Sequence, residues 1–189
     1  MLTTILIMGF VGVIITTGAA TVQRVYRKVV AHANAQTALS TTISLMKDQL
    51  AFADPESVST DPGTGQSSTI TYKSLNSGEL TITMQPGSVS ATETSTRAAT
   101  DEGGSSSVPG DRGFTLSYQG TGASAEKIPL LTDSAITSDL VVTFDDSSSG
   151  FTWDESTKTI TVENLVAKDL KSGTVQARAS FTVRLANDK

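Results

Sequence analysis

Residues 1–23 read MLTTILIMGFVGVIITTGAATVQ, and the first charged side chain of the chain is Arg24. As an α-helix, a run of this length spans about 34 Å, which is enough to cross a bilayer hydrocarbon core of about 30 Å. Three roles fit it: a cleaved export signal, a simple membrane anchor, or a helix that is stored in a membrane and then used elsewhere. An export signal typically begins with basic residues, and none precedes Leu2, so this role is the least favoured.

The helical pattern continues beyond the apolar run as an amphipathic segment. Apolar residues recur at steps of three and four through Val22, Val25, Tyr26, Val29, Ala33, Leu39, Ile43, Met46 and Leu50. This spacing predicts one helix from Met1 to about Ala51. Pro55 ends it, because the residue before a proline is pushed out of the helical region and the ring cannot extend the hydrogen-bond ladder.

The two halves of this helix predict different surroundings. The first half is apolar on every face, which suits lipid or copies of itself. The second half keeps one apolar stripe, which is expected to pack on a globular head through Val25, Val29, Leu39, Ile43, Met46 and Leu50. The cations that follow the run, beginning with Arg24, would hold the rest of the chain in the cytoplasm, whereas a basic leader ahead of the run would reverse this orientation.

From Ser68 onward the periodicity changes from helical to alternating. Strands are predicted at Ile70 and Tyr72, at 80–84 after an Asn76–Gly78 turn, and at 114–119, 140–145, 159–165 and 174–185, with a further short strand around Trp153. The expected class is α+β: a long N-terminal helix packed on a small antiparallel sheet with one wet side. The predicted domains are the helix at 1–53, with its apolar part at 1–23, and a β-rich head at 54–189.

Residues 86–112, PGSVSATETSTRAATDEGGSSSVPGDR, contain almost no large apolar side chain. Such a stretch buries too little apolar surface to offset the entropy lost on ordering it. A mobile surface loop is therefore predicted within the head.

Composition argues against catalysis and against nucleic-acid binding. The net charge is −5 with no broad basic field, there is no cysteine, and His32 is the single histidine. The acidic pairs Asp145-Asp146 and Asp154-Glu155 could offer oxygens to calcium, but they lack EF-hand spacing and are expected to serve turn geometry. No catalytic residue, metal site or cofactor is predicted.

The stretch MLTTILIMGFVGVIITTGAA, its continuation TVQRVYRKVVAHANAQTALSTTISLMKDQL, and the Gly- and Ser-rich sheet domain behind them resemble a mature type IV pilin or a type II secretion pseudopilin. In that family a basic leader is cleaved after a glycine by a prepilin peptidase, the new N-terminal residue is methylated, and the apolar half-helices pack as a filament core. That glycine and the family's glutamate five residues into the mature chain are not in this sequence. An internal methionine at Met1, with the leader ahead of it, would account for this.

The resemblance implies a structural subunit of a bacterial type IV pilus-like or type II secretion-like filament, stored in the membrane as a single-pass protein and later displayed at the cell surface. The implied lipid-stored and filament-packed residues are Leu2, Ile5, Leu6, Ile7, Phe10, Val11, Val13, Ile14 and Ile15. The implied partners are copies of itself or related pilins, membrane lipid, the pilus assembly machinery and a prepilin peptidase. The absence of cysteine leans towards a Gram-positive envelope. The alternative is a membrane-anchored extracytoplasmic binding or adhesion module that does not polymerise.

Overall fold

The computed structural model describes residues 2–60, 67–74, 80–86, 113–120, 126–131, 140–145 and 150–186, without the side chains of residues 2, 4–6, 11 and 12. The predicted Asn76–Gly78 turn lies outside the described residues. So does the predicted mobile loop 86–112, apart from Pro86.

One helix, α1, runs from Leu2 to Ala51. Its end agrees with the prediction from Pro55, and the last turn is closed by the Ala53 N–H, which donates to the Leu50 carbonyl at 3.0 Å. The Ala51 carbonyl, which has no partner within the helix, accepts from the Ala186 N–H at 3.0 Å. The helix end is thus held by backbone from the far end of the chain.

The chain divides into two compact units, Met1–Asn34 and Ala35–Lys189. The described part of the first unit is helical, and the second contains the remaining residues of α1 together with every described strand. The division falls inside α1, whereas the predicted boundary lies after residue 53. Burial explains the position, since α1 contributes core residues from Ala35 onward.

The first half of the second unit forms a five-stranded sheet. Its strands are β1 Ser59–Thr60, β2 Ile70–Lys73, β3 Thr81–Pro86, β4 Phe114–Gln119 and β5 Glu126–Pro129. They pair in sequence order, and every pair is antiparallel. Tyr72 lies opposite Ile82, and Met84 opposite Leu116, so these apolar side chains share the buried face.

The second half forms a four-stranded antiparallel sheet of β6 Leu140–Phe144, β7 Gly150–Asp154, β8 Thr159–Asp169 and β9 Val175–Arg184. The long strand β8 is central: β7 pairs with its first part, β6 with its second part, and β9 along most of its length. Asn164, with φ of 53°, lies in the register shift between Val162 and Leu165, where β8 passes from one partner to the other. The α+β class is confirmed, with two sheets in place of the single sheet expected, because alternation alone does not show which strands share a sheet.

One apolar core joins the two sheets and the part of α1 within the second unit. The helix contributes Ala35, Ala38, Leu39, Met46 and Leu50. Phe144 packs edge-to-face on Phe114 of the first sheet, with ring centroids 5.2 Å apart, and on Phe151 of the second, at 5.3 Å. These three rings bridge the two sheets within the core.

Backbone also joins the sheets, at Ser67 and Phe151. The Phe151 N–H donates to the Ser67 carbonyl at 2.7 Å, and the Ser67 N–H donates to the Phe151 carbonyl at 3.1 Å. A Cβ at the neighbouring Gly150 would lie 2.3 Å from the Ser67 carbonyl oxygen, so the close approach requires glycine.

Candidate functional site

Large apolar side chains are exposed along residues 7–30 of α1. Met8 is 80% exposed, Ile14 66% and Val22 68%. The other large apolar side chains exposed there are Ile7, Phe10, Val13, Ile15, Val25, Tyr26, Val29 and Val30. Soluble monomers commonly expose single apolar side chains but rarely a contiguous series of them. We call this series the apolar surface, and it is the candidate functional site.

The predicted membrane and filament residues belong to this surface wherever their side chains are described. Ile7, Phe10, Val13, Ile14 and Ile15 are all more than half exposed. The side chains of Leu2, Ile5, Leu6 and Val11 lie outside the described residues. The two glycines Gly9 and Gly18 lie in open space, since a Cβ at either position would meet nothing within 4 Å.

The threonine hydroxyls of this segment bond to the helix that carries them. Thr17 Oγ1 donates to the Val13 carbonyl at 2.8 Å, with the Ile14 carbonyl at 3.1 Å, and Thr21 Oγ1 donates to the Thr17 carbonyl at 2.9 Å. An unpaired hydroxyl costs several kcal/mol in a medium without hydrogen-bonding partners. These two hydroxyls are already paired, so they are compatible with apolar surroundings.

Length and composition make α1 a candidate membrane span. Its described residues contain a stretch that is long and apolar enough to cross a membrane, and none of that stretch is buried in the chain. A signal sequence near an N-terminus has the same properties. By length and composition, the helix is therefore a candidate membrane span or signal sequence.

Cations follow the uncharged run on one face of α1. Arg24 lies one turn before Arg27 and Lys28, and residues three and four apart share a face of a helix. By the same geometry, the opposite face carries the exposed Val22, Val25, Tyr26 and Val29. Residues 22–29 are thus amphipathic, and their apolar face is exposed in the single chain.

Burial divides the residues predicted to pack between helix and head into two groups. Leu39 is 5% exposed, and Met46 and Leu50 are fully buried in the core, with Ile43 partly buried beside it. Val25 and Val29 are 56% and 61% exposed and belong to the first unit, and their packing on the head stays a prediction. The same apolar periodicity covers both groups, and it does not indicate which molecule supplies the partner.

Two of the acidic residues considered for calcium, Asp145 and Asp154, bind groups of the protein itself. Asp145 forms ion pairs with Lys168 Nζ, at 3.1 Å, and with the Arg178 guanidinium, joining β6 to β8 and β9. The Asp154 carboxylate accepts from the Ser156 hydroxyl at 2.6 Å and the Thr157 hydroxyl at 2.8 Å. The bond from Ser156, which has the larger effect, and the bond from Thr157 lower the pKa of Asp154 to about 2. Asp146 lies outside the described residues.

The single histidine and the described acidic side chains do not form a metal site. His32 is exposed on α1. Among the described residues, no three His, Asp or Glu side chains are grouped closely enough to hold a metal ion.

Tyr72 is a feature that the sequence did not single out. Its ring is fully buried, and its hydroxyl is the one buried side-chain polar atom in the described part of the chain without a hydrogen-bond partner. Burial, and to a smaller extent the neighbouring Tyr118, raises the pKa of Tyr72. Alternation placed Tyr72 in a predicted strand, but no pattern could have shown that its hydroxyl lacks a partner.

Comparison with known proteins gives no relative: no protein-family model, no curated protein and no solved structure matches this chain.

Proposed function

We propose that this chain is a structural subunit, a pilin or pseudopilin, of a bacterial type IV pilus-like or type II secretion-like filament. In this proposal α1 stores the subunit in the membrane before assembly, and the assembly machinery then moves it into a filament at the cell surface. The observation that carries the proposal is the apolar surface, whose side chains include Met8 at 80% exposure and Ile14 at 66%.

Two environments can cover such a surface. A helix that is apolar on every face is stable in lipid, where nothing polar is buried, or among helices of the same kind. The paired hydroxyls of Thr17 and Thr21 suit both environments. A filament subunit uses the two in succession, which explains an all-round apolar helix on a chain that also builds its own separate core.

The length of the apolar surface favours assembly over a simple tether. About 20 apolar residues suffice to cross a bilayer core. The exposed apolar face continues past the uncharged run to Val25, Tyr26 and Val29, where cations occupy the opposite face. Lipid alone does not need this extension, whereas neighbouring copies of α1 would cover it.

Substituting Ile7 by Asp tests the proposal. The chain is expressed with a filament assembly machinery and a leader that its prepilin peptidase accepts, and filaments are counted by electron microscopy. We expect Ile7→Asp to abolish filaments, because a charge at the centre of a packed apolar helix is costly to bury. The matched control is Ser44→Asp, which adds the same charge at an exposed position of α1 within the second unit, and it should leave assembly intact.

The outcomes separate the filament from the alternative. Filaments formed by wild type and Ser44→Asp but not by Ile7→Asp support the proposal. A wild-type chain that is found in the membrane fraction and never polymerises supports the non-polymerising adhesion or binding module. Normal filaments from Ile7→Asp would contradict packing of α1 in a core.

A further inference from the structure

Charge is distributed unevenly along the chain. Residues 1–34 contain Arg24, Arg27 and Lys28 and none of the 19 Asp and Glu residues, while the whole chain has a net charge of −5. The first acidic residue is Asp48. Positive charge is therefore concentrated immediately after the uncharged run, in a protein that is otherwise acidic.

Two of these cations line an open groove on α1. Ala20, Gln23, Arg24 and Arg27 form its walls. They are spaced by three, four and seven residues, so they follow one face of the helix. Two guanidinium groups and one amide, all hydrogen-bond donors, thus lie beside the short side chain of Ala20.

We propose that Arg24, Arg27 and Gln23 bind the phosphate of an anionic phospholipid headgroup while the chain is stored in the membrane. Guanidinium groups present a planar pair of donors that matches phosphate oxygens, and the Gln23 amide adds a neutral donor. Lys28, on the following turn, adds charge beside the groove. The inference rests on the membrane storage proposed above, and it names the class of lipid that the stored form prefers.

The position of Arg24 and Arg27 along α1 favours the phosphate of a lipid headgroup over the carboxylates of an acidic protein surface as the bound anion. About 20 residues of an apolar helix reach across the hydrocarbon core, and headgroups lie directly beyond. Gln23 and Arg24 come immediately after such a run, so the groove reaches headgroup depth without any change in the helix. Each basic residue near an anionic membrane surface contributes roughly 1 kcal/mol of attraction, and salt screens it.

The absence of cysteine allows a direct test. Ala31→Cys places a single fluorophore on the same helix face as the groove, by its spacing from Arg24 and Arg27. The full chain is reconstituted in vesicles of phosphatidylcholine and phosphatidylglycerol in equal parts, in which a headgroup spin label is carried by one lipid or the other. The ratio of quenching by the two labelled lipids measures which headgroup lies near the groove.

We expect labelled phosphatidylglycerol to quench at least about twofold more than labelled phosphatidylcholine at low salt, and equally at high salt. Arg24→Gln combined with Arg27→Gln should bring the low-salt ratio to one. The matched control, Lys73→Gln combined with Lys127→Gln, removes two exposed cations from β2 and β5 and should keep the wild-type ratio.

Three results would overturn the inference. If the wild type floats with the vesicles but quenching is equal at low salt, the headgroup site fails while membrane storage stands. If it does not float even with phosphatidylcholine alone, membrane storage fails, and the site fails with it. If the arginine variant keeps the wild-type quenching ratio but loses filaments, the cations serve contacts with the acidic surface of another copy instead.

Discussion

Residues 7–30 and residues 35–51 of α1 share one backbone conformation and differ in burial. Ile14 and Val29 are more than 60% exposed, whereas Met46 and Leu50 are fully buried among the sheets. Apolar spacing is similar in both stretches, so it predicts that a face has a partner without identifying the molecule that supplies it. The difference teaches that the second stretch belongs to the folding core of its own chain, and that the first is available for lipid or for other chains.

The largest expected effect separates the two stretches by stability. Leu50→Ala should lower the free energy of unfolding of the second unit by about 3 kcal/mol, because it opens a cavity in a closely packed core. Ile15→Ala should change it by less than about 0.5 kcal/mol, because Ile15 is 66% exposed in the chain. Denaturation of the full chain in detergent, followed by the fluorescence of Trp153, measures both. Equal losses from the two variants would break the comparison.

A second prediction concerns the junction between the sheets. Gly150→Ala should lower the free energy of unfolding by about 2 kcal/mol, since its Cβ would lie 2.3 Å from the Ser67 carbonyl oxygen and the backbone must move. Gly18→Ala, at a position where a Cβ would meet nothing within 4 Å, is the matched control on the exposed stretch. It should leave the unfolding of the second unit unchanged. A neutral Gly150→Ala would show that the two sheets are not held as closely as described.

A smaller effect of opposite sign is expected at Tyr72. Tyr72→Phe removes a buried hydroxyl without a hydrogen-bond partner, so it should raise the free energy of unfolding by up to about 1 kcal/mol. Tyr118→Phe, on a partly buried ring that packs against the same core, serves as control and should have a smaller effect. Destabilisation by Tyr72→Phe would indicate a partner for the hydroxyl and would contradict the description of the core.

The smallest expected effect is a pH dependence at the turn between β7 and β8. The pKa of Asp154 falls from its ordinary value of 3.8 to about 2 in the folded chain, so the ionised form stabilises the fold. This contribution is complete above about pH 4 and is lost as the pH falls towards 2. Melting temperatures measured over this range should fall slightly more steeply for the wild type than for Asp154→Asn. Parallel curves would show that the two hydroxyl bonds do not favour the ionised carboxylate.

Sequence patterns located the elements that combine strong periodicity with large apolar side chains. The end of α1 and the bounds of β4 agree with the prediction, because a proline stops the helix and Phe114, Leu116 and Tyr118 alternate through the strand. Strand β5 was not predicted, since Glu126–Pro129 offers a single large apolar side chain and gains its place from pairing with β4. The split into two sheets was missed as well, because alternation shows which side chains share a face but not which strands share a sheet.

At the candidate site, composition predicted which residues form the apolar segment, whereas periodicity did not show where the helix enters the core. The uncharged run predicted a helix segment that is apolar on every face, and the side chains of Ile7 and Phe10 in that segment are exposed. The spacing of apolar residues by three and four predicted that Val25 and Val29 pack on the head together with Leu39. The helix residues in the core of the second unit, however, begin at Ala35. The small residues Ala35 and Ala38 at that point were a usable signal, since short side chains allow a helix to approach a sheet closely.

The hydrogen bond between Ala186 and Ala51 has a consequence for biosynthesis. A ribosome releases α1 before β9, so the helix end obtains its backbone partner only after residue 186 has been translated. Contacts this distant in sequence form slowly, because closing the intervening loop costs entropy before any contact repays it. In the membrane storage proposed above, the apolar segment would therefore enter the membrane before the second unit has folded.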